Sequence, residues 1–198
     1  MSGHKMEDFE KAKWPRQIIG AVLGGCVITG LLFLSFQFFT AWTSSFLLFF
    51  LDLIIAIPVW FGTWGIIAAV LSILPVFDRA IHSHLILIFW VIVFLQASIP
   101  AWAFRHFEAD PRLKTIRDFK IFLVYDVTLA SLATAVITFL FGSYAVGYGY
   151  IFSFGSLVVA IASFILSFVA RMIFGIPLLL LGSRIVIKAK TYCRGWFS

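Results

Sequence analysis

Charged residues are scarce in this chain: only 12% of its 198 residues are Asp, Glu, Lys or Arg, against about 25% in a typical soluble domain. Apolar residues make up 62% of it. So few charges cannot cover a soluble surface of this size, which excludes a soluble globular domain and a disordered chain. Cysteine is nearly absent, and Cys26 and Cys193 lie far apart in the sequence. This excludes a small secreted domain held together by disulfides.

Recognisable catalytic motifs are missing as well. The sequence has no GxSxG, HExxH, Walker A or CxxC motif and no clustered set of His, Asp and Glu. His82 and His84 flank Ser83, but two imidazoles without further ligands do not predict a metal site. We therefore expect no enzymatic activity, no cofactor and no metal, and we do not interpret the net charge of +6 as nucleic-acid binding.

What the chain does have is long stretches without any charge, at residues 17–51, 53–77, 80–104 and 127–170. A helix that crosses the hydrocarbon of a bilayer needs about 20 apolar residues. Residues 85–95 are apolar at every position, whereas the strands of a membrane barrel alternate apolar and polar residues. The sequence therefore predicts an all-α, polytopic helical membrane protein that is surrounded by the lipid bilayer.

Lysine and arginine concentrate in three polar segments: the head (1–16), a basic loop (105–120) and the tail (185–198). Such residues mark the cytoplasmic side of a membrane protein. We therefore expect both termini and this loop in the cytoplasm, most simply at the bacterial inner membrane. The membrane helices then occupy residues 17–104 and, as a helical hairpin, 121–184.

This arrangement requires residues 44–77 to begin and end outside. Pro58, Gly62, Gly65 and Pro75 interrupt this segment, so we expect a broken hairpin. It either dips into the membrane and returns, which leaves four full spans, or forms two short crossings joined at residues 59–65, which we prefer. Near the tail, we favour a bend at Gly175 and Pro177 over one straight 34-residue helix, with 174–187 finishing the span or following the inner surface.

Small residues predict where the membrane helices touch, because lipid gives helices little hydrophobic drive to associate. Gly20 and Gly24 form a GxxxG motif, which predicts a helix contact within the protein or with a partner. The last two spans each carry a stripe of small residues and should pack together along it. These stripes are represented by Ser131, Ala135 and Thr138 on one helix and by Ser156, Ala160, Ser163 and Ser167 on the other.

Three charges fall inside the predicted membrane segments, where ionisable groups are costly and often functional. We expect Asp126 and Arg171 to form an ion pair between neighbouring helices. In the alternative, Arg171 reaches phosphate groups while Asp126 meets water or Lys120. Asp52 either caps polar backbone of the hairpin, which we prefer, or binds a proton or cation.

These features favour a non-enzymatic protein that docks its helices onto a membrane-protein partner or onto copies of itself. An accessory subunit of a secretion or conjugation machine fits this description, and so does an immunity or entry-exclusion protein. One alternative is a small transporter or channel that uses the broken hairpin with Asp52. Another is a lipid-modifying enzyme that uses His106, Glu108 and Asp110 in the basic loop.

Overall fold

The computed structural model of the protein describes residues 14–38, 55–72, 83–145, 154–193 and 196. Within these ranges the chain forms five helices and no strand, so the all-α prediction is confirmed for them. The first three are α1 (Trp14–Phe38), α2 (Ala56–Leu71) and α3 (Ser83–His106). Helix α4 consists of Ile116–Ile121, a π-helical segment Phe122–Leu129, and Ala130–Ala145. Helix α5 consists of Phe154–Ala170, a π-helical segment Arg171–Gly175, and Ile176–Lys188.

Helix α2 is sharply broken at Gly62, where the backbone takes φ 61° and ψ −133°. Glycine tolerates this conformation because it has no Cβ. A Cβ on Gly65 would strike the backbone of Ile57 and Pro58. Eight residues of unbroken helix span about 12 Å, so this contact means that the chain folds back on itself at Gly62. The break lies inside residues 59–65, where the sequence predicts the hairpin to turn; residues 44–54, including Asp52, and 73–77 lie outside the described residues.

Helix α1 packs along both halves of this hairpin through its glycines. A Cβ on Gly20 would meet the ring of Phe61 at 2.5 Å, and one on Gly24 would meet Ile57 at 2.7 Å. Further along, the Thr29 hydroxyl donates a hydrogen bond to the Ser72 carbonyl at 3.0 Å. The GxxxG motif is therefore used for a close contact within the protein.

Helices α4 and α5 pack against each other along the two stripes of small residues, as the sequence predicts. Ala135 and Ala160 are buried, and the Ser131 hydroxyl donates to the Ser167 hydroxyl at 3.1 Å. Ser163 is also buried, whereas Thr138 is half-buried. Ser156 lies in α5, upstream of the residues whose burial the structure describes.

The expected bend at Gly175 and Pro177 does not interrupt α5, which stays helical from residue 154 to residue 188. Pro177 is the second residue of the segment Ile176–Lys188, directly after the π-helical turns. The regular i to i−4 hydrogen-bond ladder already changes in those turns, so the missing N–H of the proline ends no helix there.

Apolar side chains cover much of the outside of the bundle, and polar ones lie inside it. Leu23, Ile165 and Leu181 are each more than half exposed, while Gln17 and Ser183 are fully buried. Among the described residues, two helical stretches are long and apolar enough to cross a membrane, 116–140 and 157–188. The described part of α2 is apolar but shorter.

The contact at Gly65 can be tested by replacement with alanine. The added Cβ would collide with backbone, which cannot move aside as a side chain can, so we expect Gly65→Ala to cost about 1–3 kcal/mol or more. Gly30→Ala is the matched control, because a Cβ there meets nothing within 4 Å. Thermal unfolding of the purified protein in detergent should show a lower Tm for Gly65→Ala only. Equal Tm values for both variants and the parent would contradict the fold-back at Gly62.

Candidate functional site

The first of two polar centres inside the bundle is the ion pair between Asp126 of α4 and Arg171 of α5. The Arg171 Nη1 lies 3.0 Å from the Asp126 Oδ1, and the two side chains are 0% and 1% exposed. The same Nη1 also donates to the Asp126 main-chain carbonyl at 2.6 Å. The structure thus places these residues as the predicted ion pair, because their helices run side by side at this level.

Both partners of this pair lie in π-helical segments, Asp126 in Phe122–Leu129 and Arg171 in Arg171–Gly175. A π-helical turn disrupts the regular backbone ladder and leaves carbonyl groups available for other donors. Arg171 donates to one such carbonyl, and its Nε donates to the Ser167 hydroxyl at 3.3 Å. This centre therefore fastens α4 to α5. Further along α4, the buried Gln96 of α3 donates to Thr134 at 2.7 Å, which joins α3 to α4.

The second polar centre surrounds the break of α2 and is organised by Arg105, near the end of α3. The guanidinium donates to the carbonyls of Pro58 and Val59, each at 3.3 Å, and to that of Cys193 at 3.0 Å. The guanidinium also donates to the Ala101 carbonyl in its own helix, at 2.9 Å. One cation therefore joins α2, α3 and the segment that follows α5.

Trp60 at the hairpin tip connects this centre to α5 and to the loop after α3. Its indole Nε1 donates to the Ser183 hydroxyl at 2.8 Å, and that hydroxyl donates to the Pro111 carbonyl at 3.1 Å. The Trp60 ring also lies directly over Gly182, where a Cβ would collide with it. Small residues on α5 thus make room for the large Trp60 side chain.

The Arg105 side chain is half-buried, so its charge is partly removed from water. Burial out of water lowers the pKa of its guanidinium from the usual value, while nearby Tyr192 and Cys193 raise it. An arginine nevertheless keeps its charge at neutral pH. A permanent cation at the carbonyl end of the first half of α2 is also favourable for the helix dipole.

Asp110 in the loop between α3 and α4, and Asp118 in the first turn of α4, bind neighbouring groups. Asp110 accepts from the guanidinium of Arg112 in a two-pronged contact at 3.0 and 2.8 Å. Asp118 and Thr115 form a reciprocal capping box at the start of α4. His106 stacks on the ring of Trp102. These contacts give Asp110, Asp118 and His106 structural roles in and beside the loop.

A third feature is an open, apolar groove of about 350 Å³ between α1 and the second half of α2. Its lining includes the small residues Ala21, Gly25 and Ala68, and Cys26 lines it with an exposed thiol. We call this surface the α1–α2 groove; its further lining residues are Ile18, Val22, Thr29, Trp64, Ile67, Leu71 and Ser72.

Of the predicted site residues, the structure brings together the two charges of the ion pair and the small residues of α4 and α5. Gly20 and Gly24 of α1 contact the hairpin and are not part of the ion pair. Sequence reasoning missed the role of Arg105. In the sequence it resembles any arginine at the end of a membrane helix, and only the structure shows that it lies beside the break of α2. Within the described residues no group of three or more His, Cys, Asp or Glu could hold a metal ion.

No protein-family model matches this chain, and searches of curated proteins and of solved structures give no match either.

The ion pair can be tested by comparing Arg171→Ala with the double variant Arg171→Ala, Asp126→Ala. Losing only Arg171 leaves a buried carboxylate without its cation, which typically costs about 3–5 kcal/mol. Removing Asp126 as well relieves that penalty, so the double variant should accumulate better in membranes and unfold at a higher Tm than the single one. If the double variant is no more stable than the single variant, the two side chains do not act as a pair.

Proposed function

We propose that this chain is a multi-pass integral membrane protein that acts by docking with another membrane protein and not by catalysis. Its site in the bacterial inner membrane, with both termini in the cytoplasm, is part of the same proposal. The observation that carries the docking role is the α1–α2 groove.

The distribution of polarity supports the membrane location. Only 28% of the apolar window in residues 157–188 is buried within the protein, whereas the core helix of a soluble protein buries most of its apolar surface. Ile161, Ile165 and Val169 therefore face outwards, into what we propose is lipid or a neighbouring helix. The buried ion pair of Asp126 and Arg171 also fits an apolar environment, because charged side chains inside a membrane pair with one another.

The shape of the α1–α2 groove supports a helix as its occupant. It follows α1 from Ile18 to Thr29, about three helical turns. Its exposed lining is apolar: Val22, Ile67 and Leu71 are each more than 40% exposed, whereas Ala21 is buried within the protein. A helix that lies along these side chains gains van der Waals contacts, which drive helix association in lipid, so we assign the groove to one transmembrane helix of another membrane protein. Among the described residues, the GxxxG motif and the stripes of α4 and α5 are already used inside the chain.

The alternative of a transporter or channel has one point in its favour, the broken helix α2. Broken helices in transporters expose main-chain groups to substrate. Here those groups bind Arg105 and the segment after α5, which favours a structural use of the break. Of the residues assigned to the lipid-modifying alternative, Asp110 is held by Arg112 and His106 stacks on Trp102, which weighs against that alternative.

The proposed orientation predicts that the loop between α3 and α4 lies on the same side of the membrane as the amino terminus. Lys114→Cys provides the probe, because this side chain is 57% exposed. In a chain with both native cysteines replaced by serine, it should react with a membrane-impermeant maleimide in inside-out vesicles and not in intact cells. An amino-terminal epitope tag should show the same accessibility. Opposite accessibility of the two positions would contradict the topology.

The docking role predicts that a photoactivatable crosslinker on Cys26 captures a transmembrane helix of another protein in native membranes. Cys193→Ser should be used as the parent, so that Cys26 is the one thiol. Val22→Trp, on the rim of the groove, should reduce the adduct at least several-fold because the indole fills the space. Val27→Trp is the matched control, since Val27 is 62% exposed and does not line the groove.

Mass spectrometry of the adduct distinguishes the possible occupants. A crosslink that maps to a membrane-spanning helix of a different protein, and that Val22→Trp alone weakens, supports the proposal. Lipid adducts alone, an adduct with a second copy of this chain, or equal yields for Val22→Trp and Val27→Trp would overturn it.

A further inference from the structure

The break at Gly62 leaves main-chain groups of α2 that an unbroken helix would pair internally. In a continuous helix the carbonyls of Val59 and Trp60 would accept from the N–H groups of Thr63 and Trp64. Such groups need other partners when they are buried, because a buried polar group without a hydrogen bond is costly. Their partners in this protein come from outside α2.

Two of these partners come from the chain after α5, of which the structure describes residues 191–193 and Trp196. The Cys193 N–H donates to the Trp60 carbonyl at 2.8 Å, and the Thr63 N–H donates to the Trp196 carbonyl at 3.2 Å. Arg105 completes the set by donating to the carbonyls of Val59 and Cys193. The segment therefore bridges the two sides of the break, with one bond before Gly62 and one after it.

The end of α5 directs this segment back towards the hairpin. The Lys190 N–H donates to the Ile187 carbonyl at 3.0 Å, and the Thr191 N–H donates to the Val186 carbonyl at 3.1 Å. Together with φ 54° at Lys190, this is the Schellman arrangement that ends a helix and reverses the chain. Cys193 is then fully buried, and the ring of Trp196 lies 5.4 Å from the Arg105 guanidinium carbon.

We propose that residues 191–193 and Trp196 form a strap that closes the break of α2, with Arg105 as the positioning residue that holds strap and hairpin tip together. Releasing the strap frees the main-chain groups on both sides of Gly62. The strap is thus a conformational device at one end of the bundle. It does not depend on the docking role proposed above, since it follows from the contacts at the break.

The buried thiol of Cys193 is a built-in reporter of the strap. In a Cys26→Ser chain purified in detergent, the maleimide-labelling rate of Cys193 should be low, because the strap covers it. Arg105→Ala should raise that rate at least tenfold by removing the guanidinium that binds both sides. Arg105→Lys should also raise it, since an ammonium cannot reproduce the planar fork that reaches three carbonyls from separate segments.

Two further variants separate strap release from general unfolding. Arg184→Ala removes an exposed arginine of α5 that makes none of these contacts, and should label at the parent rate. Trp196→Ala removes only the ring over Arg105 and should raise the rate several-fold while circular dichroism shows unchanged helix content. Parent-like labelling in both Arg105→Ala and Trp196→Ala would overturn the proposal, and so would acceleration that always accompanies loss of helix.

Discussion

The need of buried main-chain groups for hydrogen-bond partners governs the arrangement of this protein. A helix satisfies that need by itself, and most of the described residues are helical. Where α2 breaks at Gly62 the requirement returns, and Arg105 and the strap meet it. The positions of α3, α5 and the loop at Pro111 then follow. Arg105 of α3 binds the tip, Trp60 of the tip donates to Ser183 of α5, and Ser183 donates to the Pro111 carbonyl.

The ion pair of Asp126 and Arg171 obeys the same constraint at a second place. Each charge satisfies the other, and the guanidinium also binds a carbonyl within a π-helical segment. A buried ion pair is weak evidence for stability, because desolvation offsets much of the Coulomb attraction. Its consequence is specificity: α4 and α5 must align so that residues 126 and 171 meet, and the serines at 131 and 167 then meet as well.

Several particular features could be predicted from the sequence because they depend on local patterns. Small residues at spacings of three and four identify the faces of α4 and α5, and two charges at similar predicted depth identify the ion pair. Glycine and proline mark where α2 breaks, since they alter backbone geometry whatever surrounds them. The π-helical segments, the continuity of α5 and the partnership of Arg105 with Val59 and Cys193 could not be predicted, because each depends on residues more than forty positions apart or on how two helices pack.

The sequence by itself determined the all-helical character of the described residues and the break within residues 59–65. Composition and backbone chemistry act on each segment separately, so no knowledge of neighbours is needed for either. Only the tertiary structure decided which small-residue faces are already occupied, that Gly20 and Gly24 receive the hairpin, and that an open groove lies beside them. Those outcomes depend on which side chains come into contact in the folded protein. The sequence pattern limits the possible contacts but does not specify them.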